Sequence, residues 1–258
     1  MKVRELYNEL DKRIPRTLSC EWDNDGLMCC PCGDKTVGKA LVALDITGDV
    51  VEYAKQNGYD VILSHHPLIY KGVKALDDSG YVSSKLLSLV GAGISVMSFH
   101  TRLDAVEGGV NDKLAELLEL SDTEPMWCEG VPLGRVGTLN ADMSAEDFAK
   151  KVKSVLGAPF VLLSDAGERV SRVVVVGGSG GDLISEAKRM GADTLVSGRL
   201  DYHSMTDAPD QKVQKMNLIE AGHFFTEDPV CEVLCDFVLK IDPSIKCDIY
   251  CSNVIKTI

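Results

Sequence analysis

The sequence predicts an α/β protein built from two related α/β domains that arose by internal duplication, with a metal site in the cleft between them. Three observations carry that expectation. A strand–helix–strand pattern runs from Leu41 to Ser64, its second strand ends in the pair His65-His66, and the pattern returns at an offset of 133 residues that carries Asp49 onto Asp182. Of the 16 positions in Asp49–Ser64, six are identical in Asp182–Ser197, among them Lys55/Lys188, Gly58/Gly191, Asp60/Asp193 and Ser64/Ser197. Unrelated segments of that length share roughly one.

Taken in order, Val3, Leu6, Tyr7 and Leu10 stand at helical spacing, so residues 2–13 form an amphipathic helix that Pro15 ends. A turn-rich loop, Trp22-Asp23-Asn24-Asp25-Gly26-Leu27, follows. Cys29-Cys30-Pro31-Cys32 contains one Cys-x-x-Cys, but no second such pair exists to complete a four-thiolate site, so these thiols read as incidental to a loop. Leu41-Val42-Ala43-Leu44 is a strand, a helix runs through Lys55 to the stop at Gly58, and Val61-Ile62-Leu63 is a short buried strand. Ligand sites in such sheets collect beyond the carboxyl ends of strands, and Pro67 halts the strand just past the histidines. A helix over 82–90 leads into Ile94-Ser95-Val96-Met97, a strand that again ends in a histidine, His100, followed at Asp104 by an acid and then by a helix over about 109–119.

Residues 121–172 are less legible, and Pro125, Pro132 and several glycines suggest a domain crossing there. The domains expected are therefore 1–124, carrying His65, His66 and Asp104, and 125–258, carrying His203, His223 and Glu227. Ser144-Ala145-Glu146-Asp147 opens a helix whose apolar face is Phe148, Val152 and Val155. The strand Val173-Val174-Val175-Val176 starts the second copy. The glycine run Gly177–Gly181 invites a nucleotide-phosphate reading, but Leu183 stands where the dinucleotide pattern needs its third glycine, so a tight turn is the safer account. His223 and Glu227 follow the apolar Leu218-Ile219 with the same His-x-x-x-acid spacing as His100 and Asp104, and a helix covers about 229–240. Cys231 and Cys235 on that helix read as core.

At 258 residues the chain can bury a large core, and its formal charge of −12 argues against a protein that grips nucleic acid through a general basic field. Met1-Lys2-Val3-Arg4-Glu5-Leu6 lacks the apolar stretch of a signal peptide, no uncharged apolar run reaches membrane-spanning length, and nine cysteines are an odd number. A cytoplasmic protein with reduced thiols is expected.

His65, His66, Asp104, His223 and Glu227 form the mixed nitrogen and oxygen donor set used by zinc, iron, manganese, cobalt or nickel, and five donors suffice for two divalent ions per subunit. A carboxylate such as Glu227 can bridge two ions about 3.5–4 Å apart, the spacing of two-metal hydrolytic sites. The plainer reading of Asp104 and Glu227 is as helix caps or first-turn acids. His203 is the candidate general acid or base, an imidazole able to exchange protons near neutrality, and a surface histidine is the plain alternative. His100 is a second proton-transfer candidate, or a group that orients the ligands.

Several motifs together resemble the Nif-three-like family, also known as GTP cyclohydrolase I type 2 homologues. They are Trp22-Asp23-Asn24-Asp25-Gly26-Leu27, Ala43-Leu44-Asp45-Ile46-Thr47, Ser64-His65-His66-Pro67-Leu68-Ile69, His100-Thr101-Arg102-Leu103-Asp104, Gly108-Gly109-Val110-Asn111-Asp112 and Gly222-His223-x-x-Thr226-Glu227. The resemblance covers essentially the whole chain in the family's short form. It implies two related α/β domains flanking a dinuclear metal site, in a toroidal homohexamer. It places His66, Asp104 and Glu227 on one ion and His65, His223 and Glu227 on the other. It implies a metal-dependent hydrolase of a small, nucleotide-like or phosphorylated substrate, in its named form opening the guanine ring of GTP by attack at C8 while His203 or His100 moves protons. A non-catalytic metal-binding ring that serves as an interaction scaffold or metal handler, with protein partners, is the alternative. Arg102 and Arg199 depart from the family pattern, where an amide and an acid are more usual, and two extra cations near the site would favour an anionic substrate or weaken metal binding.

Overall fold

The structure, a computed structural model, describes residues 1–208, 215–256 and 258. The first elements along the chain are α1 (Val3–Arg13), β1 (Gly26–Cys29), β2 (Lys39–Ala43), α2 (Gly48–Gln56), β3 (Val61–Ser64), α3 (Tyr81–Ala92), β4 (Ser95–Ser98) and α4 (Thr101–Ala105). Next come α5 (Val110–Leu117), β5 (Ser121–Cys128), β6 (Val131–Met143), α6 (Ala145–Val155), β7 (Leu162–Ser164), β8 (Val170–Ser179) and α7 (Ile184–Arg189). The last are β9 (Thr194–Arg199), α8 (Tyr202–Asp207), β10 (Asn217–Glu220), α9 (His223–Glu227), α10 (Val230–Ile241) and β11 (Lys246–Ile249). The helices expected over 82–90, 109–119 and 229–240 are α3, α5 and α10.

The chain divides into two compact units, one made of Met1–Val106 together with Val230–Lys256, the other built on Glu107–Pro229. This departs from the expected division into 1–124 and 125–258. The reason lies in the C-terminal segment. β11 pairs in parallel with β2, Lys246 opposite Lys39 through Ile249 opposite Val42, and the N-terminal ammonium meets Asp242 at 3.0 Å. The side chains of Val230, Leu234 and Val238 are buried on α10, which packs on α1, β2 and β11. The strand β5, expected near a crossing, instead lies well inside the second unit.

In the first unit a five-stranded sheet has the order β1-β4-β3-β2-β11. β2, β3, β4 and β11 are parallel, and β1 runs antiparallel on β4. All four residues of β3 are buried, as a strand covered on both faces requires, so it reads as a continuous apolar run. Leu41, Ile62 and Val96 from the strands meet Val50 and Ala54 of α2 and Leu89 of α3 in one core.

In the second unit six strands are ordered β5-β6-β8-β9-β10-β7, with a parallel centre of β8, β9 and β10. Val174, Leu195 and Leu218 supply its core with Ala187 of α7. The β5–β6 hairpin turns at Glu129-Gly130, both with positive φ (49° and 81°), as a two-residue primed turn requires. β5 is a mostly exposed edge strand, so it shows no alternating apolar signal and tolerates Pro125.

The two sheets repeat their pairing detail. Ala43 lies opposite Ser64 in the first, and Val176 opposite Ser197 in the second. Asp60 accepts the backbone N–H groups of Gly38 and Lys39, and Asp193 accepts those of Ser171 and Arg172. Ser64 O accepts from Phe99 N and Ser197 O from Ala221 N, both at 2.8 Å. Gly58 and Gly191, which end α2 and α7, have φ of 66° and 75°.

Candidate metal centre

The first unit gathers three imidazoles. β3 ends at Ser64, whose hydroxyl donates to the His66 carbonyl at 2.7 Å and lies 2.9 Å from Ser98 Oγ, while His66 N donates to Leu44 O. This bends the chain, so two adjacent histidines that an extended strand would send to opposite faces have ring centroids 5.0 Å apart. His100, at the end of the neighbouring strand β4, brings its ring within 5.3 Å of His65 and 5.8 Å of His66. One nitrogen from each of the three lies within 4.8 Å of the others.

Each ring is held through Nδ1. His65 Nδ1 faces the Phe99 carbonyl at 3.0 Å, His66 Nδ1 faces Asp45 Oδ1 at 2.7 Å, and His100 Nδ1 faces Asp23 Oδ1 at 2.8 Å. All three partners are acceptors, which places the ring proton on Nδ1 and directs the Nε2 lone pair away from the anchor. That is the arrangement by which proteins orient metal-binding histidines, so the donor set fits a divalent ion. Asp104 Oδ1 stands 3.7 Å from His65 Nε2.

Asp23 and Asp45 were missed as site residues by reading the sequence. Asp45 had a signal, an acid just beyond a strand end parallel to the histidine strand; Asp23 sits in a loop whose partner is 77 residues away. Besides His100, Asp23 Oδ2 accepts the Thr101 amide at 3.0 Å and its hydroxyl at 2.7 Å. Burial alone would raise its carboxyl, but the hydrogen bonds from His100 and Thr101 and the charge of His100 outweigh that and hold it at about 2.

Arg102 belongs to the frame behind this cluster, and the expectation that it would offer a cation to an anionic substrate is corrected. Its side chain is fully buried, donates from Nε to Asp25 at 3.0 Å and from NH1 to Asp11 at 2.6 Å and Ile14 O at 2.9 Å, and stacks on Phe99. Two carboxylates and a carbonyl neutralise it inside the fold. Asp25, buried as well, also accepts from Ser19 and from the His100 amide.

In the second unit His223 and Glu227 stand four residues apart on α9, with His223 Nε2 2.9 Å from Glu227 Oε2. The glycine run is part of the support for this helix. β8 continues through Gly177 and Gly178 to Ser179, and the expected tight turn follows it as one 3-10 turn over Gly181–Leu183, with Leu183 N donating to Gly180 O at 3.0 Å. A Cβ at Gly178, where φ is +63°, would collide with the Glu227 carboxylate, and one at Gly198 would lie 2.8 Å from the His223 Cα. Thr226, between the two donors, accepts the Gly178 amide at 3.2 Å and donates to the His223 carbonyl at 2.9 Å. Asn111 Oδ1 accepts the Gly177 amide at 2.8 Å, and Asp112 receives a two-pronged ion pair from Arg135. The glycines thus let two strand ends approach a helix that carries a histidine and a buried glutamate.

His203 lies exposed on α8 against Tyr202, and Arg199 is exposed at the end of β9. Among the described residues, the ligand-type clusters do not include His203. None of the nine cysteines is in a disulfide among the described residues, and Cys29, Cys231 and Cys235 are buried. Among the described residues no helix is long and apolar enough to cross a membrane.

The family profile described as Duf34/NIF3 (NGG1p interacting factor 3) matches residues 1–257. A Clostridium perfringens protein named GTP cyclohydrolase 1 type 2 homolog is 34% identical over 238 residues, covering 89% of this chain and 88% of its own. A Lactococcus lactis protein of the same name is 32% identical over 95% of both chains. Among solved structures, a Staphylococcus aureus protein superposes with a TM-score of 0.88 at 27% identity over 100% of this chain and 99% of that one. Reduced HcgD from Methanocaldococcus jannaschii gives 0.82 at 28% identity over 96% and 97%.

Proposed function

Because the chain belongs to the Duf34/NIF3 family, with relatives named GTP cyclohydrolase 1 type 2 homologs, we propose that it is a dinuclear-metal-dependent hydrolase of a small nucleotide-like or phosphorylated substrate. In this reading the two units descend from one duplicated α/β unit and together hold two divalent ions, of zinc, iron, manganese, cobalt or nickel. The residues that would hold them are His65, His66, Asp104, His223 and Glu227, and His65 and Asp104, with Nε2 and Oδ1 3.7 Å apart, would share an ion. The observation that carries the reading is the common anchoring of His65, His66 and His100 through Nδ1 in a group that brings one nitrogen from each ring within 4.8 Å of the others. Divalent ions bound there would polarise a carbonyl or phosphoryl oxygen and lower the pKa of water.

The chain's own residues do the rest. Asp23, Asp45 and the Phe99 carbonyl fix ring orientation and tautomer, and Gly178 and Gly198 let α9 seat Glu227 at a strand end. His100 is our first candidate for moving a proton, since its ring stands with His65 and His66 and is oriented by Asp23. His203 is the second. GTP is the substrate to test first, because it is the one in the relatives' names. We place the protein in the cytoplasm as a toroidal homohexamer.

The test is turnover by metal-reconstituted protein across GTP, other nucleotides, phosphoesters and amides, with two ions per subunit expected by elemental analysis. His66→Ala and Glu227→Ala should each lower activity on the order of a hundredfold or more while the chain stays folded, and His100→Gln against His203→Gln separates the proton-transfer candidates. Inactivity with every substrate, joined to an oligomer mass that depends on metal, would favour the interaction scaffold instead. The family's description as an interacting factor is the finding on that side.

A further inference from the structure

Two large aromatic side chains stand in the open beside the histidines of the first unit. Trp22 is 60% exposed and Tyr70 51% exposed, although both belong to segments that are held in place. Trp22 directly precedes Asp23, which grips His100 and Thr101; Asn24 donates from its side chain to the Ile69 carbonyl, the residue before Tyr70. One loop therefore fixes the indole, the phenol and the His100 imidazole as a set.

The three rings meet at their edges. Trp22 and Tyr70 lie 6.4 Å apart at 70°, Trp22 and His100 6.1 Å apart at 76°, and Tyr70 and His100 6.4 Å apart at 86°. Edge-to-face contacts leave much of both rings uncovered, and with 60% and 51% of their surface exposed the indole and phenol keep apolar ring surface that water wets poorly. An exposed tryptophan and tyrosine on a pinned loop are costly to solubility unless something uses them. A flat ring can stack on one wall while its edge meets another, and every nitrogen heterocycle of a nucleobase has the face this needs. The placement next to His100, itself grouped with His65 and His66, would set such a ring beside the candidate metal ligands.

We infer that Trp22 and Tyr70 form a stacking site for the planar heteroaromatic ring of the substrate, a nucleobase or close analogue. This rests on the hydrolase reading above and narrows it: the substrate is recognised by a ring, and a ring-free phosphate ester is a poor ligand. Arg102, buried and paired with Asp25 and Asp11, offers no grip on a phosphate there.

The experiment uses the emission of Trp22 in the metal-loaded full chain carrying Trp127→Phe, which leaves a single tryptophan. Guanosine and GTP should quench it saturably, and inorganic triphosphate should not. By calorimetry, Trp22→Leu and Tyr70→Leu should each weaken guanosine binding about tenfold or more, with metal content and oligomer mass unchanged. Equal binding of triphosphate and guanosine, or undiminished guanosine binding by both variants, would overturn the site. So would an oligomer that dissociates in Trp22→Leu, since the rings would then be an interface between copies. Failure of the hydrolase reading looks different: a wild-type protein that turns nothing over yet binds guanosine through Trp22 keeps the ring site and loses the activity.

Discussion

Arg102 is buried and charged, a combination tolerated only where partners replace the lost water. Asp25, Asp11 and the Ile14 carbonyl do so here, and the same residues tie the N-terminal helix to the loop that carries Asp23. Removing one member of a buried pair leaves the other uncompensated. Arg102→Met should therefore cost about 3–5 kcal/mol in urea unfolding, and adding Asp25→Asn to the same chain should recover part of that loss. A single-variant cost below about 1 kcal/mol would show that water reaches Asp25 and that this frame is not dry. In the sequence Arg102 is one letter in a motif, and nothing local says whether its charge faces a ligand or a buried acid. His65 and His66 were easier to read, because an apolar strand ending in two imidazoles is unusual wherever it is packed.

Where strands begin, the two units use one device, an aspartate that caps a neighbouring strand's N–H groups. For Asp60 burial works to raise the carboxyl, but the Gly38 amide, the Lys35 ammonium and the Lys39 amide together lower it below its ordinary value. A carboxyl with a depressed folded-state pKa stabilises the fold above its unfolded pKa, and the contribution is lost as pH falls through the folded value. Asp60→Ala should accordingly destabilise by about 2 kcal/mol at neutral pH, and the gap from the parent should close below about pH 4. A gap that is constant with pH would mean that the carboxylate charge is irrelevant there. The parallel strands β2, β3, β8 and β9 were legible because burial on both faces demands unbroken apolar runs. The hairpin of β5 and β6 was not, since an exposed edge strand has no such demand. The glycines of β8 were visible as glycines, but their purpose depends on Glu227, which lies 49 residues after Gly178 in the chain.

Across the whole molecule, the first unit is discontinuous and closes with the chain's last helix and strand. Val230, Leu234, Phe237 and Val238 are buried on α10, and at about 1.5–3 kcal/mol for each fully buried side chain their loss rivals the entire stability of a typical domain. A chain ending at Pro229 should lose hydrogen-exchange protection in β2, β3 and β4 and keep it in β8, β9 and β10. Protection retained in both sheets would show that β11 and α10 are accessory. The boundary expected at 124 failed for this reason: composition marks where regularity weakens, whereas a unit is defined by which segments pair.

Local pattern was enough to read an α/β chain, a recurring strand–helix–strand unit, its family and the histidine pair at a strand end, because periodicity, turn residues and motif spacing are properties of neighbours along the chain. The anchoring of each imidazole, the neutralisation of Arg102, the aromatic corner at Trp22 and the return of the C-terminal segment to the first sheet were decided by the tertiary structure alone. Each of these joins residues distant in sequence, and which partner a buried charge or ring nitrogen finds is settled by packing in three dimensions.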